Sequence, residues 1–111
     1  MLSEAEFRNA VVEMLRRAAM TLPKDVVDAL KRCKRRERER IAIIQFECML
    51  ENLKLAKELS APICQDTGIP IFFMELGSGL RLNFDPITAL KEAVKEATLS
   101  IPLRANIVDP L

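Results

Sequence analysis

The chain contains no histidine. That absence removes Ser-His-Asp and Cys-His catalysis within these residues, and every metal site that needs an imidazole. Tryptophan and tyrosine are missing as well, so the aromatics are five phenylalanines, too few and too scattered for a base-stacking platform. Neither sign of charge dominates: 17 Lys+Arg stand against 16 Asp+Glu, which gives no global case for nucleic acid or a membrane surface. No run approaches the roughly 18–20 apolar residues of a membrane span. The Met-Leu-Ser-Glu start lacks the basic and then apolar pattern of a secretory signal. The expectation is a soluble, cytoplasmic chain. Cysteines number three, Cys33, Cys48 and Cys64, without CxxC spacing, so neither a disulfide framework nor a zinc knuckle is suggested. Internal repeats and low-complexity linkers are absent too.

What is present suffices for one small domain: 111 residues, half of them hydrophobic and 30% charged. Ser3 with Glu6 reads as a capping box. The spacing then predicts a helix from Glu4 to Met20, with Phe7, Ala10, Val11, Met14, Leu15, Ala18 and Ala19 on one face. Pro23 fits the first turn of a second helix, whose apolar residues are Val26, Val27 and Leu30. The charge run Lys31 to Arg40 could address an anionic partner. It reads instead as a solvated helix junction with Glu–Arg pairs, since Glu37 and Glu39 dilute the field and no aromatic is interleaved. A third, longer helix is predicted from Arg38 to Leu59, with Ala42, Phe46, Met49, Leu53 and Ala56 as its core stripe, widened by Ile43 and Leu50. Cys33 and Cys48 fall in this helical region as incidental or packing cysteines.

The character changes at Ser60, where turn residues replace the helical period. Ile71 to Leu76 reads as a strand, Gly77-Ser78-Gly79 as a turn, and Leu80-Arg81-Leu82 as a short return strand. Asp85 and Pro86 then open a further helix, with Ile87, Leu90, Ala93, Val94 and Ala97 on its buried face and Pro102 ending it. The expected fold class is α+β: three N-terminal helices, a short β-hairpin and a further helix. A sheet of two short strands is marginal alone, so this is an incomplete portion of a larger domain.

The segment Cys64-Gln65-Asp66-Thr67-Gly68 is the one that looks built for a reaction. It sets a soft thiolate donor, an amide and a carboxylate side by side, and Gly68 permits a backbone conformation other residues resist. Its Asp-Thr-Gly occurs in aspartic proteases, where two copies pair their carboxylates. Those enzymes are all-β, whereas a long helical stretch precedes the motif here. The bland readings are a cysteine packed as a small hydrophobe, an Asp66-Thr67 pair that shapes a turn, and a surface Arg104.

Pro62-Ile63-Cys64-Gln65-Asp66-Thr67-Gly68 followed by an apolar segment resembles the class I fumarase and L-tartrate dehydratase α-type family. The preceding helix with Glu51-Asn52, and the following one leading to Leu103-Arg104 and Asp109-Pro110-Leu111, are similar to that family's layout. The resemblance covers nearly the whole chain, most weakly in the first thirty or so residues. It implies that residues 1–111 are the N-terminal portion of an iron–sulfur hydro-lyase α-type catalytic domain. It also implies a 4Fe-4S cluster on three cysteine thiolates, whose open iron acts as a Lewis acid in the reversible hydration of fumarate to malate, a tricarboxylic acid cycle step. By the same resemblance Cys64 is a cluster ligand, Gln65 and Asp66 contact substrate, and Arg104 clamps a substrate carboxylate through its guanidinium fork.

No catalytic base, second cluster cysteine or Asn-Thr-Gly segment is found in these residues, and Cys33 and Cys48 do not match the family's cluster positions. The expectation is therefore a truncated chain, inactive alone, which needs the remainder of the α subunit and a β subunit. It is expected to expose an apolar edge through which it dimerises or aggregates. The partners implied are those subunits, a small dicarboxylate and a possible homo-oligomer, with no nucleic acid and no membrane. L-tartrate dehydratase is the alternative within the enzyme class. A non-catalytic helical interaction module is the alternative outside it.

Overall fold

A computed structural model describes residues 2–66 and 68–104. Helix α1 runs Glu4–Met20 and starts on the predicted capping box. The Ser3 hydroxyl accepts from the Glu6 amide at 3.3 Å, and the Glu6 carboxylate accepts from the Ser3 amide at 2.9 Å. The Ser3 hydroxyl, and then its amide, hold the Glu6 carboxyl below its ordinary range. Helix α2 runs Lys24–Arg36, with Pro23 just outside it at the N-cap. Lys34, Arg35 and Arg36 sit in its last turn, where the helix dipole favours cations.

Helix α3 runs Arg40–Leu59, two residues shorter at its start than predicted. The reason is Glu37, whose carboxylate accepts from the amides of Arg38 (2.8 Å) and Glu39 (3.0 Å) and ties that turn outside the helix. These two bonds, the Glu39 one foremost, lower the Glu37 carboxyl. The expected Glu–Arg pairs do not form among the described residues; the ion pair of the run joins Lys34 to Glu47 at 2.8 Å. Helix α4 runs Pro86–Ser100. Asp85 caps it by accepting from the Thr88 amide at 2.9 Å and the Ile87 amide at 3.4 Å. Hydrogen bonds from Thr88, first its hydroxyl and then its amide, lower the Asp85 carboxyl.

The core lies between α1 and α4. Ala89, Ala93, Ala97 and Ile101, four residues apart, are each 0% exposed. Small side chains at that spacing let two helices approach closely. Met20, Ala97 and Ile101 form the buried cluster, with Val12, Leu15, Ala19 and Leu103 packed against it. The Phe7 and Phe84 rings meet at 5.5 Å beside this seam, and Arg8 pairs with Glu96 at 3.1 Å across it. Of the predicted α4 face, Ala93 and Ala97 are buried while Ile87 is exposed. On α1, Val11 is buried but Met14 is exposed.

Helices α2 and α3 pack as a hairpin that touches the rest of the described residues only slightly, through α1. Helix α2 buries no residue fully, and of the α3 stripe only Ala56 is buried. Ile41 is 76% exposed and Leu59 72%. The outcome is an extended layout of 57 × 40 × 24 Å with a radius of gyration of 18.1 Å, against about 13 Å for a compact domain of this length.

The α+β expectation is not met, because the described residues contain four helices and no strand. Ile71 to Leu76 and Leu80 to Leu82 lie as irregular chain. The turn between them does form, with the Leu80 amide donating to the Gly77 carbonyl at 2.9 Å. A strand needs a neighbour to complete its ladder of hydrogen bonds, and no described segment lies alongside. Ile71 and Phe73 are accordingly left 75% and 95% exposed. Among the described residues, no helix is long and apolar enough to cross a membrane.

Candidate functional site

The reactive segment begins where α3 stops. Ser60 turns into the left-handed region at φ 50. Its amide donates to the Lys57 carbonyl at 3.4 Å, and the Ala61 amide donates to the Ala56 carbonyl at 3.0 Å. This is the helix-ending pattern that usually carries glycine, and it turns the chain sharply toward α1. There the Ile63 amide donates to the Ala19 carbonyl at 2.9 Å, one of the carbonyls that a helix C-terminus leaves without an intrahelical partner. On its other side the Ile63 carbonyl accepts from the Asn52 side-chain amide of α3 at 2.7 Å. Both backbone polar groups of the residue before Cys64 are thus held, one by each of two helices.

Cys64, Gln65 and Asp66 follow on an exposed turn. The Asp66 amide donates to the Cys64 sulfur at 3.4 Å. Cys64 is exposed, which removes its reading as a small buried hydrophobe. Gly68 has φ +72, and a Cβ added there would meet nothing within 4 Å. Backbone conformation rather than crowding therefore makes glycine the fitting residue. Thr67 and Asp109-Pro110-Leu111 lie outside the described residues.

A cleft of about 380 Å³ opens between α1, α4 and the chain that leaves the turn. Its walls are apolar, among them Leu15, Phe72, Val94 and Leu103, and it also takes Gly68 and Arg104. Cys64, Gln65 and Asp66 are not in its lining. The structure therefore brings three of the predicted site residues together on the turn and places Arg104 at the neighbouring cleft.

Iron suits the chemistry of a thiolate donor, but a four-iron cluster needs more than one. Among the described residues no group of three or more Cys, His, Asp and Glu side chains is placed to hold a metal. Cys33 and Cys48 are exposed and do not join Cys64 in such a group. The described residues alone do not make a cluster cradle.

Asn52 is the side chain at this turn whose hydrogen bond the sequence pattern did not reveal. Its signal was faint: asparagine is a poor helix former, so one inside a long helix calls for a hydrogen-bonding reason.

The Fumarate hydratase (Fumerase) family profile matches residues 8–111. A putative L(+)-tartrate dehydratase subunit alpha of Methanocaldococcus jannaschii is 41% identical over 105 residues, covering 93% of this chain and 37% of the relative. The L(+)-tartrate dehydratase subunit alpha of Escherichia coli strain K12 is 42% identical over 88 residues, covering 79% of this chain and 29% of its own. That of Shigella sonnei has the same identity and coverage. The chain spans about a third of the length of these relatives, yet the family profile runs through both helix pairs, the Cys64 turn and the segment after it. On that match the chain belongs to the fumarate hydratase (Fumerase) family, in which it is similar to the α subunits of L(+)-tartrate dehydratase.

Proposed function

We propose that residues 1–111 are the N-terminal portion of the α-type catalytic domain of a cytoplasmic iron–sulfur hydro-lyase. The reaction is the reversible addition of water across the double bond of a small dicarboxylate, with fumarate and malate as the first substrate pair. The observation that carries this reading is the family match over residues 8–111, which includes Cys64-Gln65-Asp66 on one exposed, doubly anchored turn.

In this reading Cys64 is one of the thiolates that hold a 4Fe-4S cluster, and the other ligands come from the rest of the α subunit. Gln65 offers an amide to substrate oxygens, and Asp66 orients the hydroxyl. Arg104 binds a substrate carboxylate, for which a guanidinium fork has the matching geometry. The remainder of the α subunit and a β subunit are the partners. They supply the missing ligands and the base, and they cover the apolar side chains left open at Ile41, Leu59, Ile71 and Phe73. The chain by itself is then inactive.

Tartrate dehydration is the second reading, favoured by the 41–42% identity to α subunits of that name. Both are tested by one anaerobic experiment on the chain extended to a full α subunit and joined with a β partner, assayed with fumarate and with L-tartrate. Malate formation that Cys64→Ser abolishes, together with cluster absorbance, supports the first reading. Turnover of tartrate alone selects the second. A Cys64→Ser protein that keeps cluster and rate removes the ligand role of Cys64, and a completed enzyme that turns over neither substrate removes both readings and leaves a helical interaction module.

A further inference from the structure

We propose that Asn52 is the positioning residue of the Cys64 turn. The residue sits roughly two helical turns before the end of α3, and its side chain crosses to a carbonyl eleven residues further along the chain. The carbonyl belongs to Ile63, so the bond holds the peptide unit from which Cys64 departs. The amide of the same residue is held by Ala19 of α1. With both groups fixed, Ile63 has little freedom to rotate, and the direction of the Cys64 side chain follows. The Asp66 amide, which donates to the Cys64 sulfur at 3.4 Å, keeps its line to that sulfur only while the turn stays in place.

No described residue other than Asn52 contributes a side-chain bond to this anchor. Direct packing between α1 and α3 is slight, so the Ile63 bridge also sets where α3 stands against α1. Its importance for catalysis rests on the proposed ligand role of Cys64. A ligand that swings freely loses part of its affinity for metal, and the groups that orient metal ligands commonly matter tenfold or more.

The test uses the whole chain free of metal, with Cys33→Ser and Cys48→Ser, so that Cys64 is its single thiol. Alkylation of Cys64 by iodoacetamide is followed at fixed pH for the parent, Asn52→Leu, Asn52→Asp and Asn52→Gln. Leucine and aspartate both lack the N–H, while glutamine keeps it. The donor-free variants are expected to shift the rate by roughly three- to tenfold, the range that losing one hydrogen bond yields. The shift runs toward the rate of the urea-unfolded chain, with helix content by circular dichroism unchanged. Asn52→Gln is expected to fall near the parent. If leucine lowers the helix content, the aspartate and glutamine variants decide. Equal rates for parent and donor-free variants overturn the proposal, as does a glutamine variant that behaves like leucine. Because the readout needs no cluster, a failure here is distinct from a failure of the ligand reading, which Cys64→Ser in the completed enzyme tests.

Discussion

Ile101 and Ile41 are the same side chain in opposite surroundings. Ile101 is fully buried at the end of α4, in contact with the Met20–Ala97 cluster, whereas Ile41 is largely exposed on α3. Truncating Ile101 to alanine removes three carbons from that cluster, about 2.4 kcal/mol of transfer free energy. The void left behind is not fully closed by relaxation, which raises the expected loss to about 3–4 kcal/mol. With a urea slope of about 1.5 kcal/mol per molar, the midpoint falls by about 2 M. Ile41→Ala removes the same atoms from solvent and should stay within about 0.5 kcal/mol. The assay is urea unfolding of the 111-residue chain followed by far-ultraviolet circular dichroism. A stability of roughly 5 kcal/mol leaves little margin, so Ile101→Val serves as the milder probe, with a loss of about 1 kcal/mol. Equal midpoint shifts for Ile101→Ala and Ile41→Ala would refute the placement of the core between α1 and α4.

Other expectations follow from single features. Ser60 adopts the left-handed region with a side chain that resists it, so Ser60→Gly should raise stability by about 1 kcal/mol, read as a higher urea midpoint. The Asp85 carboxyl is lowered by the Thr88 hydroxyl and amide. Its contribution is therefore present above the unfolded value of about 3.9 and is lost as pH falls through the lower folded one. Melting curves below about pH 4 should show this loss, and Asp85→Asn, which still caps but does not titrate, should flatten it. On the proposed carboxylate-binding role of Arg104, Arg104→Lys in the completed enzyme should raise KM by roughly tenfold with a smaller change in kcat, because an ammonium cannot hold both oxygens of a carboxylate as a fork does. The isolated chain should bind a hydrophobic dye and associate through its uncovered apolar faces; a dye-silent monomer in light scattering would contradict this.

Features fixed by near neighbours in the chain were legible in the sequence. The Ser3–Glu6 box and the Asp85–Pro86 start are built from residues within one turn of each other, and both ends fall where expected. Periodicity identified apolar faces, but it carries no information about whether anything lies against them. Met49 belongs to the predicted stripe of α3 and is exposed for that reason. The hairpin failed on a related ground, since Ile71 to Leu76 has strand character while a ribbon of two short strands is marginal without further strands beside it. At the site, the Cys64-Gln65-Asp66 group was visible as a motif. Its anchoring was not, because the Ala19–Ile63–Asn52 bridge exists only once the end of α1 is brought near α3.

That bridge also joins two parts of the molecule that should open separately. Among the described residues, α2 has no fully buried side chain and packs on α3, while the α1–α4 seam holds the fully enclosed ones. Amide hydrogen exchange should therefore separate two cooperative units, with the α2–α3 hairpin exchanging through a low-energy opening that spares the seam. Ile63 lies at their border, with its N–H bound to one unit and its carbonyl to the other. An opening of the outer unit should release the Ile63 carbonyl, so the order of the thiol at Cys64 is expected to follow that of the α2–α3 hairpin.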